Sequence, residues 1–253
     1  MQWGAFDLFA ARATGVNAAG TLVARRDTSV NSTFAGVDTQ TEAVMKFDTF
    51  GFAHTALVGF EYNNGYRHPF SQQGNLASIS FLNPIYGAIP GALGFQADLK
   101  QKLELFGVYV QDQIALTPEL QLVVGARFDF GSQYYFNRVP ASRTMPPEQD
   151  LFGASPRVGL IYRPFEPLTF YASYATSFVP QTASVLNLVN PSPETGEQYE
   201  VGTRLDLNPG LTLSAAAFRL TRNNVAATDP TNTGFSVITG QQRSEGVEAD
   251  LAG

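Results

Sequence analysis

The stretch PETGEQYEVGTRLDL, residues 193–207, decides the fold class. Taken in steps of two, Tyr199, Val201, Thr203, Leu205 and Leu207 fall on one side, and Glu200, Gly202, Arg204 and Asp206 on the other. Side chains alternate across a β-strand, so this is a strand with one apolar and one charged face. In a soluble sheet the apolar face would be core. In a membrane barrel it would meet lipid, and the charged face would line a wet interior.

The same period recurs along the chain, whereas helical periodicity is hard to find. In LQLVVGARFDF (120–130), Leu120, Leu122, Val124, Ala126, Phe128 and Phe130 oppose Gln121, Gly125, Arg127 and Asp129, with Val123 among the latter. In RVGLIYR (157–163), Val158, Leu160 and Tyr162 oppose Arg157, Gly159, Ile161 and Arg163. LTFYASYATSF (168–178) carries Leu168, Phe170, Ala172, Tyr174 and Phe178 on its apolar side. Ala43, Met45 and Phe47 stand against Glu42, Val44, Lys46 and Asp48, and Val247, Ala249 and Leu251 against Glu248 and Asp250. The runs 103–116 and 211–221 are apolar on both parities in places and assign no face.

The connections alternate in length. Short ones with Gly or Pro fall at 49–54, 116–119, 163–167 and 207–210. Long ones are expected at 69–100, 135–153 and 179–195, with a shorter one at 224–234. Turns at one end and loops at the other describe consecutive antiparallel strands of an outer-membrane barrel better than a Greek-key sandwich. About ten strands are expected, several of about ten residues, the length that crosses a bilayer when tilted. The fold class is therefore all-β: an antiparallel up-and-down transmembrane β-barrel, present as a partial barrel. Aromatics near strand ends (Phe128, Phe130, Tyr162, Phe178, Tyr199) suit the girdles of such a barrel.

Composition agrees. Of 253 residues, 44% are hydrophobic and only 15% charged, well below the ~25% of soluble domains. A net charge of −6 and the lack of any Lys/Arg-rich run argue against nucleic acid as a partner. With no cysteine there is no disulfide framework and no Cys-based metal site. No apolar window is long enough for a transmembrane helix, and the first residues, MQWGAFDLFAARATG, lack the pattern of a signal peptide.

Eight short runs then appear in order: NPIYG (83–87), YVQDQ (109–113), GARFD (125–129), SPRVGLIYRP (155–164), YASYATSFVP (171–180), PETGEQYEVGTR (193–204), AAFRLTRNNV (216–225) and TGQQRSEGVEADLAG (239–253). The series resembles the bacterial TonB-dependent outer-membrane receptors, in particular their ferric-siderophore branch. Residues 1–82 match only in style. The resemblance implies residence in the bacterial outer membrane among its lipids, a ferric siderophore as transported ligand, no intrinsic cofactor, and energy from the TonB complex. The family's N-terminal plug, its TonB-pairing segment and its C-terminal barrel strands have no counterpart here. The chain is thus expected to be the middle of a roughly 22-strand barrel, one domain over 1–253. Two open strand edges would leave it unable to transport alone.

On that basis the lumen-facing charges are Glu42, Lys46, Asp48, Arg127, Asp129, Arg157, Arg163, Glu200, Arg204, Asp206, Glu248 and Asp250. Arg127, Asp129, Arg157, Glu200, Arg204 and Asp206 are the candidates for contact with a plug; the alternative is ion pairing within the wall. YRHPF (66–70), FLNPIYG (81–87) and QYYFNR (133–138) are placed in the outer loops. Tyr66, Arg67, Phe81, Tyr86, Tyr134, Tyr135 and Phe136 are the candidates for holding an anionic, aromatic ferric chelate by stacking, cation–π contact and charge. Ordinary loop packing or an aromatic girdle is the competing reading. His54 and His68, expected at opposite ends of one strand, cannot share a metal. A small barrel with esterase or phospholipase activity would need a His beside a Ser, and no GxSxG occurs. A soluble β-sandwich binding module is the other alternative.

Overall fold

Alternation of this kind is satisfied by strands that pair through their backbone groups, and the computed structural model of the chain is built of strands. It describes residues 2–138, 148–181, 191–208, 210–228, 230–231, 236–238 and 240–253. The strands are β1 (Gln2–Val16), β2 (Leu22–Thr49), β3 (Phe52–Ser80), β4 (Gly94–Ala115), β5 (Leu120–Asn137), β6 (Gln149–Phe165), β7 (Leu168–Val179), β8 (Glu194–Asn208), β9 (Leu211–Asn223), β10 (Ala226–Thr228), β11 (Ser236–Ile238) and β12 (Gln241–Ala252). Ten of them follow one another in chain order, β1 to β9 and then β12, while β10 and β11 form a separate two-stranded ribbon. This is the expected up-and-down order without Greek-key crossings.

The four short turns fall where the Gly and Pro residues place them. Between β2 and β3 only Phe50 and Gly51 intervene, with φ of 50° and 84°. Positive φ at both central residues is the type I′ geometry, whose twist matches that of the paired strands. The longer connections are shorter than expected. β3 continues to Ser80 and β4 begins at Gly94, so the connection is 81–93 rather than 69–100. β5 runs to Asn137, not to Phe130. The stretch 63–80 shows no clean apolar alternation because the strand is held by backbone pairing, which polar residues supply equally well. Of the other expected loops, 139–147, 182–190 and 232–234 lie outside the described residues.

The chain falls into two compact units: Met1–Asp38, Asn63–Glu104 and Gln133–Glu148 form the first, and Thr39–Tyr62, Leu105–Ser132 and Gln149–Gly253 the second. In the first, β1 and β2 are antiparallel with Gln2 opposite Gly36 and Val16 opposite Val23. Asn17 ties their turn, its side-chain oxygen accepting from the Thr21 and Leu22 amides at 2.8 and 2.9 Å.

In the second unit, β6 to β9 and β12 pair consecutively. Val201 stands between Ala172 and Ala217, and Leu205 between Leu168 and Leu213. The apolar side chains do not converge on a dry centre. Phe128, Leu160, Phe170, Tyr199 and Val201 are all between 42% and 56% exposed. Among the described residues the buried set is more polar than apolar: seven polar or charged residues (Asp129 and Ser32 among them) against Ala56, Tyr109, Leu151 and Val225. That is the inverse of a soluble sandwich and the arrangement of a sheet whose oily side faces hydrocarbon.

The outward side also marks where the hydrocarbon ends. Tyr174 and Tyr199 pack at 4.9 Å between ring centroids, Arg219 stands directly opposite Tyr199 and Glu245 opposite Arg219, and the next outward position on β8 carries Glu197. From Glu197 to Leu207 is ten residue steps. At ~3.3 Å per step and a tilt of about 40° they cover roughly 25 Å, the height of a barrel's apolar band.

Candidate functional site

Charge on one parity of neighbouring strands must be neutralised where the strands bring it together, and the second unit does this with interlocked side chains. Arg127 on β5 donates from Nη1 to Glu61 on β3 at 2.6 Å and grips Asp129 through Nε at 2.9 and 3.0 Å. Its guanidinium lies 5.6 Å from the ring centre of Tyr109 on β4. The Tyr109 hydroxyl donates to Glu42 at 2.6 Å and accepts from Gln40 at 2.8 Å. On β8, Arg204 pairs with Asp206 at 2.9 Å, and Thr212 donates to the same carboxylate at 2.7 Å. Glu200 accepts from the Tyr171 hydroxyl at 2.8 Å and from Gln198 at 2.9 Å. Arg157 lines, with Gln40, Glu42, Tyr109 and Arg127, a groove of about 380 Å³.

Glycines on the same parity make room for these groups. A Cβ at Gly202 would stand 2.5 Å from Cζ and Oη of Tyr171, the residue directly opposite it. A Cβ at Gly59 would overlap the Tyr109 ring, and one at Gly107 the Arg127 guanidinium. Gly125 similarly admits Arg157. The wall is therefore a layer of rings and guanidinium groups laid over glycines, with Tyr109, Tyr171 and Arg127 joined at their polar ends to carboxylates.

Of the residues expected on this wall, Arg127 and Asp129 pair with each other, as do Arg204 and Asp206, while Glu200 binds tyrosine and glutamine. Tyr109 and Tyr171 were not anticipated, and Glu61, Gly59, Gly125 and Gly202, although they fall on the charged parity, were given no role. The visible signal was a glycine on the charged parity of one strand and an aromatic on that of its neighbour, legible only once the register is known.

The seven candidate ligand residues occupy different settings. Phe81 and Tyr86 lie in the 81–93 connection and are 71% and 77% exposed. Tyr66, Arg67, Tyr134, Tyr135 and Phe136 are in strands β3 and β5, not in loops as expected. Alternation puts Tyr66 and Arg67 on opposite faces, and Tyr135 opposite to Tyr134 and Phe136, so the set does not share one surface. Tyr66 packs near His68, ring centroids 6.5 Å apart. His68 is about midway along β3 rather than at its end, and its Nε2 meets Asp98 at 2.7 Å. Asp98 also receives the Arg138 side chain, and its backbone oxygen accepts from the Arg138 amide at 2.8 Å. Burial opposes ionisation of Asp98, but the hydrogen bonds and charges of Arg138 and His68 prevail and hold its carboxyl below the usual range.

His54 is part of a dyad. Its Nδ1 is 2.6 Å from Asp112 Oδ2, and its ring is stacked on Phe47 at 4.9 Å. Nε2, the atom that would face a nucleophilic serine in a hydrolase, is buried without a hydrogen-bond partner. Among the described residues no group of three or more His, Cys, Asp or Glu side chains could hold a metal ion.

Comparison with known proteins matches this architecture. The chain is 27% identical over 223 residues to the metal-pseudopaline receptor of Pseudomonas aeruginosa, covering 85% of this chain and 32% of that protein. It is 29% identical over 243 residues to the ferrioxamine B receptor of Salmonella typhimurium, with 93% and 34% covered. It is 30% identical over 225 residues to the ferrichrome outer membrane transporter/phage receptor of Escherichia coli, with 85% and 29% covered. The chain thus spans about a third of the length of these relatives. The same fold is seen in the ferric preacinetobactin receptor of Acinetobacter baumannii (TM-score 0.75, 18% identity, 98% of this chain and 38% of that one). It is seen also in the closed form of a ferric-catecholate import receptor of E. coli K12 (TM-score 0.71, 19% identity, 99% and 41%). The family described as TonB dependent receptor-like, β-barrel matches residues 2–253, the whole of the strand array whose faces are sorted between lipid and water; this chain belongs to that family, and its place is the bacterial outer membrane.

Proposed function

We propose that this chain forms part of the wall of a receptor that binds ferric siderophores and imports them with energy delivered by the TonB complex. The observation that carries the reading is the sorting of the two faces: Phe128, Leu160, Phe170 and Val201 lie exposed on one parity, while Arg127, Asp129, Glu200 and Tyr171 interlock on the other. A wall that is wet within and oily without surrounds a water-filled or plugged passage. The names of the relatives, receptors for ferrioxamine B and transporters of ferrichrome, support a ferric chelate as the cargo.

In this reading Phe81 and Tyr86 capture the chelate first, by stacking from the exposed connection. On the wet parity of β3 and β5, Arg67 and Tyr135 extend the contact surface, Arg67 supplying positive charge to an anionic ligand, while Tyr66, Tyr134 and Phe136 face the other way and are not part of it. Arg127, Asp129, Arg157, Glu200, Arg204 and Asp206 present the hydrogen-bonding surface against which a plug rests. Because Arg127 is paired with Asp129 and Arg204 with Asp206, and Glu200 is hydrogen-bonded by Tyr171 and Gln198, a plug can slide along these groups without exposing a bare ion. The receptor makes and breaks no covalent bond, holds no cofactor of its own and has no nucleic-acid partner.

The test is growth of a strain dependent on the whole receptor, with single ferric siderophores as the iron source, together with binding of the radiolabelled chelates. At least one chelate supports growth, and replacing both Phe81 and Tyr86 by Ala weakens its binding about tenfold or more. Failure of every ferric chelate to bind would reject the reading.

A further inference from the structure

The wet wall of the second unit covers its glycines, with one exception. At Gly59, Gly107, Gly125 and Gly202 a ring or a guanidinium group lies within 3.1 Å of where a Cβ would be. Gly159 on β6 has the same parity, yet no ring or guanidinium group lies over it. The nearest atoms to a Cβ there are the Ala172 carbonyl oxygen, Val123 Cβ and Ser173 Cβ, at 3.7, 3.8 and 3.9 Å. Gly159 floors a hollow of about 290 Å³, almost wholly apolar, with Val123, Ile161, Tyr171 and Ser173 around it. Val123 and Ile161 are the aliphatic residues that interrupt the charged parity of β5 and β6. Apolar surface that faces water is stabilised when another apolar group covers it.

Arg157, opposite Ala175 and two steps from Gly159 toward the long-loop end, borders the same hollow. Arg127 and Arg204 hold carboxylates of the wall. Arg157 is exposed, and among the described residues its side chain has neither an ion pair nor a hydrogen bond. A free cation beside a bare apolar seat defines its complement: a peptide segment with an apolar side chain and a carboxylate next to it. The hollow opens on the side away from lipid, where neither an acyl chain nor a second receptor reaches. We propose that it anchors the receptor's own plug: an apolar side chain of the plug seats over Gly159, and an Asp or Glu beside it pairs with Arg157. The inference rests on the reading of this chain as a wall around a plug. Elsewhere the interlocked pairs need nothing from a plug, whereas here cation and hollow are satisfied by one. Holding and sliding therefore belong to different parts of one surface.

The intact receptor carries the photo-crosslinking residue p-benzoylphenylalanine in place of Ser173, which is exposed at the rim of the hollow, and is irradiated in outer membranes. The crosslinked peptide, mapped by mass spectrometry, comes from the plug and carries Asp or Glu within about two residues of a large apolar side chain. Amide hydrogen exchange of that peptide rises about tenfold in Arg157→Gln, the effect of losing one charge-assisted hydrogen bond. Arg157→Lys, which keeps the cation, recovers most of the difference. Gly159→Phe, whose Cβ has room, fills the seat from within the wall and raises exchange likewise. A crosslink only to an outer loop, to lipid or to a second receptor, or a plug peptide without a carboxylate, would overturn the proposal. So would exchange indifferent to both Arg157→Gln and Gly159→Phe. Should a variant fail to assemble, the crosslink in the receptor with Ser173 alone replaced decides. A receptor that gives this crosslink but binds no ferric chelate loses its assigned cargo and keeps the anchor; one that binds a chelate without the crosslink does the reverse.

Discussion

Replacing Gly202 by Ala tests whether the wet wall is built by rings lying on glycines. In the middle of an ordinary strand the change stabilises, because Gly loses more backbone entropy than Ala on folding, by roughly 0.5–1 kcal/mol. Gly65 on β3 is such a position, with nothing within 4 Å of where a Cβ would be. At Gly202 the added carbon would stand 2.5 Å from Tyr171 Cζ and Oη, so the ring must lift. Lifting it breaks the 2.8 Å hydrogen bond to Glu200, a bond to a charged acceptor worth about 1.5–3 kcal/mol. Repacking adds about 1–3 kcal/mol. Set against the entropy gain, Gly202→Ala costs about 1.5–5.5 kcal/mol while Gly65→Ala gains a fraction of one. The assay is urea unfolding of the receptor in lipid, comparing midpoints at constant slope. Adding Tyr171→Ala removes the obstruction, so the cost of Gly202→Ala should vanish or change sign in that background, a coupling of at least 1 kcal/mol. Equal effects at Gly202 and Gly65, or no coupling to Tyr171, would refute the reasoning.

Three other outcomes follow from the same geometry. Val201→Arg, central on the lipid side between Ala172 and Ala217, costs about 2–4 kcal/mol in the same unfolding assay. Arg127→Met leaves Asp129, which is 6% exposed, without its cation and costs about 3–5 kcal/mol. Arg127→Met with Asp129→Leu recovers most of this, as unfolding midpoints of the single and double variants will report. The carboxyl of Asp98 is held below its ordinary value of about 4. Its contribution is therefore complete above that value and lost as pH falls through the lower, folded one. Asp98→Asn removes this acid-limb dependence, read as amide hydrogen exchange of β4 between about pH 5 and 2.

Much of this was legible from residue order because a bilayer imposes one rule on many strands. Tyr199 to Leu207, and Phe128 with Phe130, alternate cleanly since one of their faces must be oily. The rule lapses where both faces are wet, which is why β3 was expected to stop near residue 68 and instead runs to Ser80. It also says nothing about which side chains meet across strands. The contacts of Arg127 with Glu61, Tyr171 with Glu200 and His54 with Asp112 join residues 29 to 66 apart in sequence. They depend on register, which alternation sets only to within two residues. Loop aromatics such as Tyr86 carry no periodic signal, so their role rests on composition and exposure.

Among the described residues, three cations bond to the carboxylate two positions further along their own strand: Lys102 to Glu104, Arg127 to Asp129 and Arg204 to Asp206. Such a strand neutralises itself before any neighbour arrives. During assembly, each new hairpin can join the growing sheet without first searching for an electrostatic mate across the seam. Backbone pairing alone then sets the order of addition, and a strand waiting at the edge waits as a dipole rather than as a naked charge.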